Sequence, residues 1–376
     1  GPSWDGSQSA LGDCGARFAG QMCSEPVRVY CGFDPTADSL HLGNYIALVT
    51  LRWFQLCGHQ PIAIVGGATG RIGDPSGKAQ ERPVLSEEVI QENLEGIAKN
   101  IRQILKPSGE NKDNEALVLN NFDWVGKFTF LDFLRDVGKY ARVGTMLAKD
   151  SVKSRLNSEE GMSFTEFTYQ LLQAYDFMYL NDEYGVKIQI GGSDQWGNIT
   201  AGTELARKVK GASLFGVTFP LLTRSDGKKF GKSEGGAIWL AEEKLSAYQM
   251  YQYLVKIPDS DVCDFLRKLT FLDLDTIAEI EKGMAEADYV PNSAQKRLAE
   301  EVTRIVHGEK GVQSALSATA VAAPGKAGQS AGALSAEALE AISGDMPNVA
   351  LGKTSVVGKS VVDLLVSYAS ALRYGG

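Results

Sequence analysis

The residues of this sequence that could do chemistry lie in three glycine-rich stretches and one lysine cluster. The first stretch, Tyr30-Cys31-Gly32-Phe33-Asp34-Pro35-Thr36, leads into Ser39-Leu40-His41-Leu42-Gly43-Asn44, which opens a predicted helix. Gly32 and Gly43 let a flat ligand approach the backbone. His41 and Asn44 are three residues apart and share a face of the helix's first turn. Donors at a helix N-terminus suit phosphate; a histidine that only caps the helix is the plainer alternative. The second stretch, GGATGRIGDPSGK, runs from Gly66 to Lys78, with Arg82 beyond. It holds more glycine than one turn needs, so it is either a ligand cradle or a solvated loop. The third, Gly191-Gly192-Ser193-Asp194-Gln195-Trp196-Gly197-Asn198, puts a carboxylate and a carboxamide behind a predicted strand. Those groups suit a hydroxyl or an amine, and Asp194 could equally cap the next helix. In the cluster Lys228-Lys229-Phe230-Gly231-Lys232-Ser233, three ammonium groups on long stems could clamp a polyphosphate. A solvated charged face is the alternative there.

These groups need a frame to hold them. Short apolar runs at 27–31, 61–65, 116–119, 186–190 and 215–222 predict buried strands. Between them, Ile90, Leu94, Ile97, Ile101 and Ile104 step by four and three, which predicts an amphipathic helix over 86–105. Strands alternating with helices imply a parallel α/β sheet, and such sheets bind ligands at the carboxyl ends of their strands. After Trp239 the strand signal stops. Four helices are predicted over 246–256, 261–269, 275–287 and 292–307. An Ala/Ser/Gly-rich stretch over 314–344 reads as a linker, and one more element is expected over 355–371. The expected organisation is an N-terminal extension over 1–26, a catalytic domain over 27–240, a helical domain over 241–312 and a C-terminal tail over 313–376.

The chain has 376 residues with 38 Lys+Arg against 46 Asp+Glu, a net charge of −8. At 44% hydrophobic it can bury a sizeable core, which excludes bulk disorder. No apolar run approaches the ~20 residues that span a bilayer. The acidic total argues against non-specific coating of nucleic acid but leaves room for RNA bound through a local basic patch. The five Cys include no CxxC pair and read as free thiols. The dinucleotide fingerprint GxGxxG is absent. A Walker loop fails because Asp226 and Ile72 stand where its first glycine belongs. GxSxG fails at Gln195, and His41, His59 and His307 offer no spaced zinc set.

Taken together, these segments resemble the class I aminoacyl-tRNA synthetases, and among them the tyrosyl-tRNA synthetases of bacterial or organellar type. His41-Leu42-Gly43-Asn44 looks like the family's HIGH motif with Asn in its last place, and Lys229-Phe230-Gly231-Lys232-Ser233 looks like its KMSKS motif. YCGFDPTADSLHLGN, VGGATGRIGDPSGK, SFTEFTYQLLQAYDF and QIGGSDQWGNITAG resemble the tyrosine-specific members closely and in order. The likeness runs from about Val27 to His307.

The resemblance implies a Rossmann-like catalytic domain and a two-step reaction. L-Tyrosine would attack Mg-ATP to give tyrosyl-adenylate, and tRNA(Tyr) would then take the tyrosyl group on its terminal adenosine. ATP would be a substrate, with Mg2+ carried on it and no protein-bound metal. On this chain, Tyr30 and Asp176 would meet the phenol. Tyr169, Gln173 and Asp74 would hold the ammonium group, with Asn121 and Gln195 nearby. Gly32, Asp34, Thr36, His41, Asn44, Gly192 and Asp194 would surround ATP. Thr36, His41, Lys78, Arg82, Lys229 and Lys232 would meet the polyphosphate in the transition state. Asn44 keeps a donor but cannot become cationic, so modest activity is expected. Arg207, Lys208 and Lys210, with Lys149, Lys153 and Arg155, would form the RNA patch. On the helix 292–307, Lys296, Arg297 and Arg304 are the candidates for the anticodon arm. A homodimer is implied, with its interface in an insertion near 125–165 that includes Phe164. A ribosomal-protein-like RNA-binding domain would follow the helical module in this family, and only its opening is expected here. The setting would be the mitochondrial matrix, with the bacterial cytoplasm as the alternative, and no membrane. Two rivals remain: a tryptophanyl-tRNA synthetase, and a non-catalytic RNA-binding relative.

Overall fold

Strands β1 (Arg28–Phe33), β2 (Gln60–Val65), β3 (Leu117–Asn120), β4 (Val186–Gly192) and β5 (Phe215–Phe219) form one parallel sheet in the order β3-β2-β1-β4-β5. The structure is a computed structural model and describes residues 25–76, 85–107, 114–223, 225, 227, 230–233, 236–322, 351–360 and 363–364. The described residues divide into two units, one of 25–241 with 264–278, the other of 242–263 with 279 onward. In the first, the expected α/β frame is present, and each strand falls on its predicted apolar run. Val29, Ile62, Ile64, Val186 and Ile188 are buried, as a sheet covered on both faces requires.

Strand β1 is central. The chain leaves it for β2 on one side and returns to pair with it through β4 on the other. The crevice at the carboxyl ends of β1 and β4 is therefore the topological switch point, where open α/β sheets take their ligands. The connecting helices are α1 (Leu42–Leu56), α2 (Thr69–Ile72), α3 (Glu87–Ile104), α4 (Phe122–Val125), α5 (Phe130–Asp136), α6 (Val143–Leu147), α7 (Asp150–Leu156), α8 (Phe164–Tyr184) and α9 (Trp196–Lys210).

Helix α3 shows how the frame holds a functional loop. Its isoleucine stripe is buried, and Ser86 caps its first turn by accepting from Val89 N. A second stripe, Asn93, Gly96 and Asn100, faces the chain that follows β1. Asn93 Nδ2 donates to Pro35 O at 2.9 Å. Asn100 Oδ1 accepts from Leu40 N at 2.9 Å and from Ser39 Oγ at 3.0 Å. Gly96 has no side chain because a Cβ there would run into the Asp38 carbonyl. Three residues of one helix thus pin the loop that carries Asp34 and Thr36.

The second unit is helical. Helix α10 (Ala247–Val255) packs along α13 (Ser293–Ala322), and α11 (Asp259–Leu269) and α12 (Leu274–Gly283) are the elements between them in sequence. Helix α13 turns at Gly308, whose φ of 71° is in the left-handed region, and runs on to Ala322. The expected linker therefore starts too early: residues 314–322 are helical, because Val312, Ala315 and Ala318 are buried. The alanine-rich composition conceals a packing face. Arg297 and Arg304 pair with Glu301, and Arg304 also pairs with Glu309, so these cations of the expected anticodon-arm helix are already compensated. Among the described residues, no helix is long and apolar enough to cross a membrane.

Candidate active site

A cavity of about 270 Å3 opens at the carboxyl ends of β1 and β4. One wall is built around Asp176, which α8 presents one turn beyond Gln173 and two beyond Tyr169. The carboxylate is buried, with Oδ1 accepting from Trp124 Nε1 at 2.7 Å and Oδ2 from Asn121 Nδ2 at 3.0 Å. Burial pushes its pKa up to about 7; the two donors work against burial, and the charge of Asp34 adds to it. Tyr30, on β1, is buried against Phe177 with ring centroids 5.2 Å apart. Its hydroxyl has no hydrogen-bond partner among the described residues, and burial beside Asp176 holds the phenol well above its usual range, hence neutral. A buried acceptor beside a neutral hydroxyl suits a ligand's hydroxyl.

Two further carboxylates line the cavity. Asp34 accepts from Tyr169 Oη at 2.8 Å and from Thr69 Oγ1 at 2.7 Å. Asp74 accepts from Gln195 Nε2 at 2.7 Å and from Ser76 N at 2.9 Å. Two oriented carboxylates beside Tyr169 and Gln173 suit an ammonium group. The Gly66–Gly67 turn brings the second stretch against Asp34, since a Cβ on Gly66 would collide with it. Arg71 fastens that stretch by donating to Gly67 O, pairing with Glu87 and lying 4.3 Å over the Phe122 ring.

The cavity also reaches the start of α1, where Gly43 and Asn44 line it. His41 caps that helix, with Nδ1 accepting from Gly43 N at 3.0 Å while Asn44 Oδ1 accepts from His41 N at 3.2 Å. With Nδ1 accepting, a neutral ring carries its proton on Nε2, so capping does not use up the ring's capacity to donate. The lysine-rich segment is stitched to this same turn. Leu42 N donates to Ile238 O at 2.8 Å, Ile238 N donates to Gly231 O at 2.9 Å, and His41 bridges to Trp239. Gly231 has φ +86°, and a Cβ there would be 2.9 Å from Gly43 N. Phe230 anchors the segment against Phe265 at 4.3 Å.

The sequence profile of the tRNA synthetases class I (W and Y) matches residues 22–322. This chain belongs to the class I tRNA synthetases. A curated tyrosine–tRNA ligase of Protochlamydia amoebophila is 58% identical, over 92% of the chain and 80% of that protein. A chloroplastic/mitochondrial tyrosine–tRNA ligase of Arabidopsis thaliana is 54% identical, over 92% of the chain and 68% of that protein. The C-terminally truncated mitochondrial tyrosyl-tRNA synthetase of Aspergillus nidulans superposes with a TM-score of 0.68 at 32% identity, covering 77% of this chain and 84% of that one.

In the synthetase, Tyr30, Gly32, Asp34, Thr36, Asn44, Asp74, Asn121, Tyr169, Gln173, Asp176, Gly192, Asp194 and Gln195 all line the cavity. His41 is not among the lining residues described. Asn121, expected near the ammonium group, donates to both Asp176 and Thr69. Lys78, Arg82 and Lys229 lie outside the described residues. The backbone of Lys232 lies in β6 (Lys232–Ser233), paired with β7 (Gly236–Ala237). Arg207, Lys208 and Lys210 occupy the last turn of α9, where cations also stabilise the helix end. Lys208 pairs with Glu204 and Lys210 with Asp182. Arg155 is not a surface cation: it is 2% exposed and ion-paired with Glu166 at 2.7 Å, so it leaves the proposed RNA patch. Lys149 is half-buried and donates to Gly197 O, and burial lowers its pKa to about 8.

Trp124, Thr69, Cys31 and Gln189 do not stand out in the sequence. Gln189 lines the cavity and its Oε1 has no partner among the described residues. Strand alternation hides such a residue among apolar neighbours, whereas Trp124 stands three after Asn121, a spacing that could have linked them.

Proposed function

We propose that this tyrosine–tRNA ligase binds tyrosine with its phenol at Tyr30 and Asp176 and its ammonium group at Asp74, Tyr169 and Gln173. A carboxylate oxygen of tyrosine attacks the α-phosphorus of Mg-ATP, the bond to the bridging oxygen breaks, and pyrophosphate leaves. The 2′-hydroxyl of the terminal adenosine of tRNA(Tyr) then attacks the tyrosyl carbonyl, and AMP leaves. No group of the chain forms a covalent intermediate. Its residues position the reactants and stabilise charge on the phosphates. Mg2+ arrives with the nucleotide. The observation that carries the amino-acid assignment is the buried Asp176 beside the Tyr30 hydroxyl, which has no partner among the described residues: a phenol can donate to the first and accept from the second, whereas an indole N–H can only donate. Tyrosine-dependent exchange of pyrophosphate into ATP tests the reading. Exchange with tyrosine, and little with tryptophan or phenylalanine, is the expected result; exchange driven by tryptophan, or none at all, would refute it.

Dimerisation is part of the proposal. Phe130, Leu131, Val143, Leu156 and Phe164 leave large apolar surfaces exposed across the predicted insertion, which supports burial against a second copy. Sedimentation of the intact protein reports the state directly. We place the enzyme in the mitochondrial matrix, with the bacterial cytoplasm as the alternative; organellar and bacterial relatives support both.

Arg207 and Lys208 are proposed to meet the acceptor end of the tRNA. Replacing both by Ala is expected to spare pyrophosphate exchange and weaken charging. The slope of log affinity against log salt should flatten by about one unit for each phosphate the variant no longer neutralises. Lys208, already paired with Glu204, is expected to contribute less than exposed Arg207. An unchanged slope would make the patch an ordinary helix terminus.

A further inference from the structure

Helix α3 carries one buried polar residue whose reach extends past the loop it pins. Asn100 is 2% exposed, and its Oδ1 accepts the backbone N–H of Leu40 at 2.9 Å. The other backbone group of that residue, Leu40 O, accepts from Leu240 N at 2.8 Å. Ser39 makes a parallel bridge with its side chain: its hydroxyl lies 3.0 Å from Asn100 Oδ1 and accepts from Ala241 N at 3.1 Å. Further along, Leu42 N donates to Ile238 O, and Ile238 N donates to Gly231 O. Residues 39–42 and 238–241 thus run side by side, with Asn100 behind the first run and Gly231 beyond the second. Leu40, Leu42, Ile238 and Leu240 are all buried, so a bond lost from this ladder is not made up by solvent.

We propose that Asn100 is a positioning residue for adenylate formation: its carboxamide oxygen sets the register between the turn that opens α1 and the segment of Lys229 and Lys232. The inference rests on the reading that the ATP phosphates meet both of these. The transition state needs the two at once, and a misplacement of about 1 Å is enough to slow a transfer severely. Helix α3 is a stiff base for the task, since its isoleucine stripe is buried. Without the acceptor, Leu40 N would be buried unpaired, and the run 39–42 would shift to find a partner, carrying the turn at His41 with it. Asn100 is not among the residues lining the cavity, and neither Tyr30 on β1 nor Asp176 on α8 belongs to the ladder. Its influence therefore falls on kcat and leaves tyrosine binding alone.

The test is Asn100→Leu, which keeps the shape of the side chain and deletes its acceptor, beside Asn100→Asp, which keeps acceptor oxygens. Both are measured in tyrosine-dependent pyrophosphate exchange. In N100L, kcat should fall roughly 10- to 100-fold, with KM for tyrosine and the preference for tyrosine over phenylalanine within about threefold of wild type. N100D should keep kcat within about threefold of wild type, because Leu40 N retains its acceptor. Added to Lys232→Ala, N100L should cost less than about threefold more, since the lysine segment is what the register serves. A wild-type kcat in N100L, a loss in N100D equal to that in N100L, equal losses in kcat and in tyrosine binding, or additive losses in the double variant would each overturn the inference and leave Asn100 as packing alone. Should N100L fail to fold, Ser39→Ala decides, because it deletes the hydroxyl between Asn100 and Ala241 and leaves the backbone bonds in place. A roughly 3- to 10-fold loss confined to kcat is expected there, and a wild-type kcat would overturn the proposal. A K232A enzyme with normal kcat would instead overturn the underlying reading of where the phosphates sit, and this inference with it.

Discussion

Replacing Asp176 by Ala will collapse tyrosine selection. The phenol hydroxyl of tyrosine needs an acceptor, and in the variant it would be buried facing a void. A hydrogen bond to a charged partner contributes about 1.5–3 kcal/mol, and stranding a buried donor adds its desolvation cost. A fall of ~10²-fold or more in the tyrosine/phenylalanine ratio of kcat/KM is expected. Because the acceptor is the ionised form and its pKa is about 7, tyrosine kcat/KM in wild type should fall as pH drops below 7 and level off above it. Asp176→Asn, which cannot ionise, should lose that pH dependence. Stability should show the opposite sign. The folded-state pKa of about 7 lies above the ordinary 3.8, so between those values the folded chain holds a proton that the unfolded chain has released. Stability therefore falls as pH rises from about 4 to about 7, and D176N should be less sensitive across that window. A variant D176A that still selected tyrosine by the wild-type factor would remove Asp176 from the phenol site.

Lys229→Ala and Lys232→Ala are expected to lower kcat for adenylate formation by ~10²–10³-fold each, with KM for tyrosine changed by less than about threefold. Charge builds on the leaving pyrophosphate only as the α-phosphorus is attacked, and an interaction made only then acts on kcat. Support comes from the backbone between these residues: Gly231 packs against Leu42 and Gly43, which puts this segment beside the start of α1, the end of the cavity proposed to take the phosphates. Normal kcat with weakened tyrosine binding would contradict the clamp.

Most of the frame is legible in the sequence because it rests on strong periodic signals. The β-branched runs of β1, β2 and β4 and the isoleucine stripe of α3 announce themselves by spacing. The spacing of Tyr169, Gln173 and Asp176 places all three on one face of α8. What escapes is of another kind. Asn93, Gly96 and Asn100 serve a loop far away in sequence, and nothing local distinguishes them from solvated residues. Arg155 reads as a surface cation because its partner Glu166 lies across a turn, and burial of an ion pair leaves no mark on composition. The alanines of α13 look like linker because small residues pack closely without a hydrophobic signature. Trp124 and Gln189 are easily passed over because their polar atoms matter only where the fold aims them.

The parallel order of the sheet has a consequence for synthesis on the ribosome. Val29 in β1 pairs with Ile188 in β4, and the turn at Gly43 waits for Gly231. At roughly 5–20 residues per second, β1 emerges about 10–30 s before β4 can join it. Until then β1 has β2 on one edge and an open row of amides and carbonyls on the other, a template for the wrong strand. Nascent chains stalled near residue 180 should therefore bind chaperones and aggregate more than chains stalled past 240. The binding crevice can form only in the latter.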